Sequence, residues 1–260
     1  MLTLLYALTI LVATSIGAIS GLGGGVIIKP VFDLIGQDNA TVIGIYSALA
    51  VFTMCLVSIS RQMHKGFRFK VKIILLVSFG SVAGGLLGET IFSSLVHALT
   101  NSQVKLIQNL LLLVTLLFII CSVFRPSIFP KLALQNSALI FSVGLFLGLI
   151  SVFMGIGGGP LNVALFIMLF SFTPKQATVY SIATIFFAQL SKLILNILSS
   201  KLWQINLKIA IIIMLVAVIG GYIGTLINQR LSLAAIEAVY NVLMFLLTLV
   251  TVINIALVIV

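Results

Sequence analysis

Two glycine clusters and two lysines, all set in apolar sequence, are the residues of this chain best placed to do chemistry. Gly21-Leu-Gly-Gly-Gly25 and Gly155-Ile-Gly-Gly-Gly159 each interrupt a hydrophobic run. A continuous helix through such a cluster loses about 1 kcal/mol per glycine relative to alanine. A helix that restarts after the cluster begins instead with unsatisfied N–H groups and the positive end of its dipole, an anion site made of backbone alone. Pro160, directly after Gly159, suits such a first turn because its missing N–H is not needed there. On this reading the backbone at Gly23, Gly24 and Gly25 and at Gly157, Gly158 and Gly159 holds an anion. Ser47, Asn162, Thr184 and Gln189 add hydrogen bonds, and Lys192 and Lys29 supply positive charge. The competing reading, close helix packing through small residues, fits the Gly84/Gly88 and Gly220/Gly224 pairs.

The charged and polar residues sharpen this picture. Lys192 lies deep in an apolar helix, where a lysine costs about 2.5–3.5 kcal/mol on insertion scales, relieved in part if it snorkels to the nearer end. Lys29 stands four residues before Asp33, the spacing of an ion pair on one helix face. Glu89 is the one acidic group inside a long span, and it reads equally as a proton-coupling carboxylate or as a partner for a lysine. Wound at 100° per residue, the sixth helix places Thr178, Ser181, Gln189, Lys192, Asn196 and Ser199 on one face, with Thr184 at its edge. The second groups Thr41, Gly44, Ser47, Cys55 and Ser58. Such faces point at a bundle interior or a water-filled path, or they serve ordinary hydrogen bonding between helices. His64 and His97 are isolated, so no metal site is expected. The scattered carboxylates make no catalytic constellation, and no strand precedes the glycines as a dinucleotide loop requires. Neither an enzyme nor a cofactor is expected.

The elements that position these residues follow from composition. Of 260 residues, 62% are hydrophobic and 7% charged, against about 25% charged in a soluble domain; mean hydropathy is +1.35 over the whole length. This excludes a soluble globular domain, a disordered chain and a nucleic-acid binder, despite a formal net charge of +10. Apolar runs predict helices near 2–20, 40–60, 72–98, 103–123, 137–154, 177–199, 207–227 and 235–258, about eight spans. Beyond the glycine clusters, the pieces 26–34 and 160–170 are too short to span. The N-terminus lacks a basic leader and reads as a retained first helix.

The second half repeats the first. Besides the glycine clusters, Ala40-Thr41-Val42 recurs as Ala177-Thr178-Val179, Ser47 as Thr184, Gly84/Gly85/Gly88 as Gly220/Gly221/Gly224, and Asn109 as Asn241, at offsets of 132 to 137 residues. The expected fold is an all-α polytopic membrane protein in two four-helix repeats, 1–126 and 127–260, with the first and fifth helices broken at the glycines. An even number of spans per half predicts repeats that run parallel, related by an axis along the membrane normal. Arg61, Lys65, Arg68, Lys70, Lys72, Arg125, Lys131, Lys201 and Lys208 are then on one side and Lys105, Lys175 and Arg230 on the other, nine against three. The positive-inside rule places both termini in the cytoplasm, with Trp203 beside Lys201 as an interfacial anchor.

GLGGGVIIKP at 21–30 and GIGGGPLNVALF at 155–166, each followed by an Ala-Thr helix start, resemble the sulfite exporter TauE/SafE family over essentially the whole chain. The first copy keeps the proline that usually follows the glycines, as Pro30; the second has Ala164 there and Pro160 earlier. The resemblance implies an eight-helix permease of the plasma (inner) membrane that moves small sulfur-containing anions such as sulfite or an organosulfonate. The expectation is a secondary transporter with a small anionic substrate, lipid around it and homo-oligomerisation left open. An anion channel of the same architecture and a membrane sulfur-transfer protein using Cys55 or Cys121 are the alternatives.

Overall fold

The computed structural model describes residues 2–124, 132–156, 158–200 and 204–259. Among these are ten helices and no strand: α1 Leu2–Ser20, α2 Gly25–Ile35, α3 Ala40–His64, α4 Val71–Ala98, α5 Asn101–Phe124, α6 Ser137–Met154, α7 Gly159–Phe170, α8 Pro174–Leu198, α9 Leu207–Arg230 and α10 Leu233–Ile259. Eight are long and apolar enough to cross a membrane, the exceptions being α2 and α7. The chain is a multi-pass membrane protein. Gly157, the 126/127 repeat boundary, Arg125, Lys131, Lys201 and Trp203 lie outside the described residues.

Local chemistry sets most helix ends. Asn39 caps α3 by accepting from Val42 N–H at 2.9 Å. The eighth helix starts at Pro174, three residues before the expected 177, because Thr173 and Gln176 close a capping box with proline at the first turn. Helices α1 and α6 stop at the glycines. Gly21, Gly23, Gly24, Gly155 and Gly158 all hold φ between 66° and 82°, a region that costs a residue with a β-carbon roughly 1–2 kcal/mol.

The short helices fold back. Tyr6 stacks on Phe32 with centroids 4.0 Å apart, and its hydroxyl donates to Asp38 at 2.6 Å, so α2 returns toward the N-terminal end of α1. In the second half Leu132 and Leu134 N–H donate to Met168 and Leu169 carbonyls at 2.7 and 2.9 Å. This brings the end of α7 back to the side where α6 begins.

This geometry corrects the expected parallel repeats. Helix α1 runs parallel to α9, with Gly220 against Thr14 and Leu11, Gly224 against Ser15, and Asn228 donating to the Ile19 carbonyl at 2.6 Å. Helix α3 also runs with α9, through Thr225 to Ser58 and Gln62 to Asn228. Helix α4 runs parallel to α6, with Gly80, Gly84 and Gly88 against Phe141, Leu145 and Leu149. Since α4 returns from the end of α3, α6 runs opposite to α1. The halves are inverted about an axis in the membrane plane. The reason is that each broken segment is a hairpin, which leaves three further crossings per half, an odd number.

The orientation count changes with it. The 65–70 loop reaches Tyr180 on α8 (Lys70 N–H to its hydroxyl, 2.5 Å), and Lys175 donates to the Gln229 carbonyl at the end of α9. Arg61, Lys65, Arg68, Lys70, Lys72, Lys175 and Arg230 therefore share one face, the basic face. Asn206, just before Lys208, donates to Tyr46 near the start of α3 at 3.0 Å. Lys208 thus lies with Leu2, Lys105 and the end of α10 on the other face, the termini face. Grouping Lys208 with Lys65–Lys72, and placing both termini on the more basic side, is corrected.

Helices α3 and α8 cross antiparallel at the centre, with Phe52 stacked on Phe186 at 4.9 Å. Their best spanning windows are 67% and 61% buried, against 28–44% for the other six. Apolar residues such as Val114, Leu215 and Leu249 are about 60% exposed on the outer helices, the belt expected to face lipid.

Candidate functional site

The two glycine turns meet. A β-carbon on Gly25 would strike the Ile156 carbonyl, and one on Gly159 would strike that of Leu22. These contacts are related by the same inversion that relates the halves. Neither glycine admits a side chain, so the N-termini of α2 and α7 sit back to back, α2 running to the termini face and α7 to the basic face. Close packing and the half-helix start are thus one arrangement. The backbone is partly committed to itself: Gly23 N–H reaches the Gly17 carbonyl at 3.5 Å and Gly25 N–H that of Gly23 at 2.9 Å. A β-carbon on Gly24 would lie 2.9 Å from the Ala13 carbonyl, and one on Gly158 2.8 Å from Ser151 Cβ.

Both lysines reach this junction. A β-carbon on Gly155 would lie 3.6 Å from Lys29 Cδ and 3.9 Å from Gly44 Cα, and one on Gly44 3.1 Å from Lys192 Nζ. Lys29 and Lys192 are each 2% exposed, so neither snorkels to water. They occupy the half of the membrane nearer the termini face. Lys29 pairs with Asp33 at 2.9 Å as the spacing predicts, and Asp33 also takes Lys105 at 3.2 Å. Lys192 lies 3.9 Å from Glu89 and 5.4 Å from the Phe92 ring centroid. Glu89 thus lies within ion-pair distance of Lys192, joining α4 to α8.

Ser47 borders the junction, its Oγ 3.0 Å from a β-carbon placed on Gly25. Asn162, in the first turn of α7, is fully buried, and neither polar atom of its side chain has a hydrogen-bond partner among the described residues. Leaving such atoms unsatisfied costs about 1–3 kcal/mol each, which marks a place where water or a ligand belongs. Thr184 is committed to structure: its hydroxyl donates to the Tyr180 carbonyl and its own carbonyl accepts from Ser81. Gln189 is buried on α8 one turn before Lys192. Thr178 and Ser181 hold the first glycine turn, donating to the Ser20 and Gly21 carbonyls at 3.4 and 2.6 Å.

Sequence reasoning assigned Lys105 to a loop and gave no role to Ser151 or Gln108. Ser151 Oγ and Gln108 Oε1 are buried and also lack a hydrogen-bond partner among the described residues. The signal available was the placement of Gln108 beside Asn109, two amides together in an apolar run. Cys55 is buried and Cys121 exposed, both as free thiols. No group of three or more metal-ligating side chains occurs among the described residues.

The arrangement brings two helix N-termini and two buried lysines together between the inverted halves, a combination that favours negative charge. The profile of the family described as sulfite exporter TauE/SafE matches residues 6–251. The chain is 25% identical over 264 residues to a protein of Bacillus subtilis (strain 168) named probable membrane transporter protein YunE, covering 91% of this chain and 92% of that one. Members of such a family are membrane permeases rather than enzymes. With nearly its whole length matched, the chain belongs to the sulfite exporter TauE/SafE family.

Proposed function

We propose that this transporter carries a small sulfur-containing oxyanion, sulfite or an organosulfonate, through the junction of the two glycine turns. The observation that carries the proposal is the convergence of Lys29 and Lys192 on the Gly44–Gly155 contact, where the N-termini of α2 and α7 meet. An anion there gains from two half-helix dipoles and two ammonium groups in a medium that screens little. Ser47, Asn162 and Gln189 supply hydrogen bonds beside the turns at Gly23–Gly25 and Gly158–Gly159. Inverted repeats are the architecture of alternating access, each half rocking against the other around a central site. The basic face is the cytoplasmic one by the positive-inside rule, which puts both termini outside.

Counterflow in proteoliposomes tests this reading. Sulfite uptake stimulated by sulfite or methanesulfonate on the opposite side is expected of a carrier, whereas flux without such stimulation means a channel. Gly24→Leu and Gly158→Leu should abolish flux while the protein still inserts. Normal flux in both variants overturns the site.

A further inference from the structure

On the termini face, α5 begins beside α3, with Ala40 N–H donating to Asn101 Oδ1 at 2.9 Å. A cavity of about 220 Å³ lies between α2, α5 and α10, lined by Asp33, Asn101, Ser102, Lys105, Asn109 and Asn254. Its polar groups exceed what the fold uses. Asn109 is 1% exposed and its Nδ2 has no hydrogen-bond partner among the described residues. Lys105 Nζ meets Asp33 Oδ1 at 3.2 Å and the Asp38 carbonyl at 3.3 Å, while the Asp38 carboxylate is taken by Tyr6. Asp33 is shared, its other oxygen held by Lys29 at 2.9 Å, so two ammonium groups draw on one carboxylate. The first turn of α5, with the positive end of a 24-residue helix, forms the rim at Asn101 and Ser102.

We infer that this cavity is a second anion site, an antechamber on the termini face where Lys105 Nζ and Asn109 Nδ2 hold a small oxyanion on its way to or from the centre. The inference rests on the proposal that the cargo is an anion. Cation, orphan donor and helix N-terminus converge there, and all three favour negative charge. An arriving oxyanion takes the place of Asp33 on Lys105 and leaves Asp33 wholly to Lys29. Filling the antechamber and neutralising the inner lysine are thereby linked through one carboxylate. The site is one-sided: under the repeat offsets Lys105 falls opposite Glu237 and Asp33 opposite Ile167.

Sulfite titrations of the purified full-length protein in nanodiscs, read by thermal shift, test it. In a Lys192→Gln background sulfite is still expected to stabilise the protein. Adding Asn109→Ala should weaken that response at least fivefold, and Lys105→Gln should remove it. Asn109 Nδ2 has no hydrogen-bond partner among the described residues, so the alanine variant is expected to fold and carries the test even where Lys105→Gln does not. In oriented vesicles, Asn109→Ala should raise the half-saturating sulfite concentration from the termini face alone. Unchanged titrations in Asn109→Ala, or an equal rise from both faces, overturn the antechamber. A wild-type protein that moves neither sulfite, thiosulfate nor methanesulfonate overturns the central proposal instead, and the titrations still decide the antechamber.

Discussion

Replacing Glu89 by glutamine should tighten anion binding while it destabilises the empty protein. Glu89 and Lys192 are 3.9 Å apart with side chains 4% and 2% exposed. At an effective dielectric constant of about 20 their attraction is about 4 kcal/mol. Removing the carboxylate leaves a buried ammonium without its counter-charge, at about 3–5 kcal/mol in stability; Lys192→Met should lose a similar amount. The double variant removes both charges and should be more stable than the sum of the two losses by about 0.5–3 kcal/mol, since contacting residues do not add. Glu89 also competes with the cargo for Lys192. Since about 1.4 kcal/mol is tenfold in affinity, an attraction of this size bounds the gain near a thousandfold. Solvent and side-chain relaxation bring the expected tightening of sulfite to roughly ten- to a hundredfold. The measurements are thermal unfolding of the four proteins in one detergent and sulfite titration of wild type and Glu89→Gln. Additive stability losses, or a Glu89→Gln protein that binds sulfite no more tightly, would refute both the pair and the placement of cargo on Lys192.

Other perturbations check separate parts of the structure. Gly84→Val should fail to accumulate in membranes, because its side chain would enter the Leu145 backbone across the α4–α6 contact; normal expression would contradict the pairing of those helices. Single cysteines at Gln37 and Lys65, in a chain lacking the native cysteines, should react with a membrane-impermeant maleimide on intact cells at Gln37 only, and the reverse result would put the termini inside. Cys55→Ala with Cys121→Ala should retain sulfite flux, whereas complete loss would revive a thiol-based sulfur-transfer role. Gly44→Ala places a methyl 3.1 Å from Lys192 Nζ, so it should raise the half-saturating sulfite concentration severalfold with little change in melting temperature.

Helix positions and the half-helices that start at Gly25 and Gly159 were legible because each leaves a local mark: an apolar run, a glycine cluster, a proline at a first turn. The Lys29–Asp33 pair was legible for the same reason, lying within one helix. Repeat direction was not. It depends on whether the chain after Gly25 goes on or turns back, and that is decided by long-range contacts such as Tyr6 with Phe32 and Asp38. One parity error put Lys208, Lys175 and Arg230 on the wrong faces; among the described loop residues the split becomes seven to two, with the termini on the sparser face. Pairings such as Glu89 with Lys192 or Asp33 with Lys105 join different helices and leave no spacing to read. The polar face of α8 was readable as a face, but which of its members hold structure (Thr178, Ser181 and Thr184) and which meet the junction (Lys192) depended on what packs opposite.

The inversion of the two halves has an energetic corollary. Identical inverted halves would give two access states related by the two-fold axis and equal in free energy, each populated half the time. In this chain Lys29, Asp33, Lys105, Glu89 and Lys192 all belong to the half-channel toward the termini face, while the matching positions across the axis are Val163, Ile167, Glu237, Thr225 and Cys55. That asymmetry is what can set the resting balance, and a bias of 1.4 kcal/mol suffices for about ten to one. Exchanging one pair, Lys192→Cys with Cys55→Lys, is expected to shift the resting population toward the opposite opening, measurable as reversed accessibility of reporter cysteines. The sequence difference between two otherwise matched repeats would then act as the rectifier of the transporter.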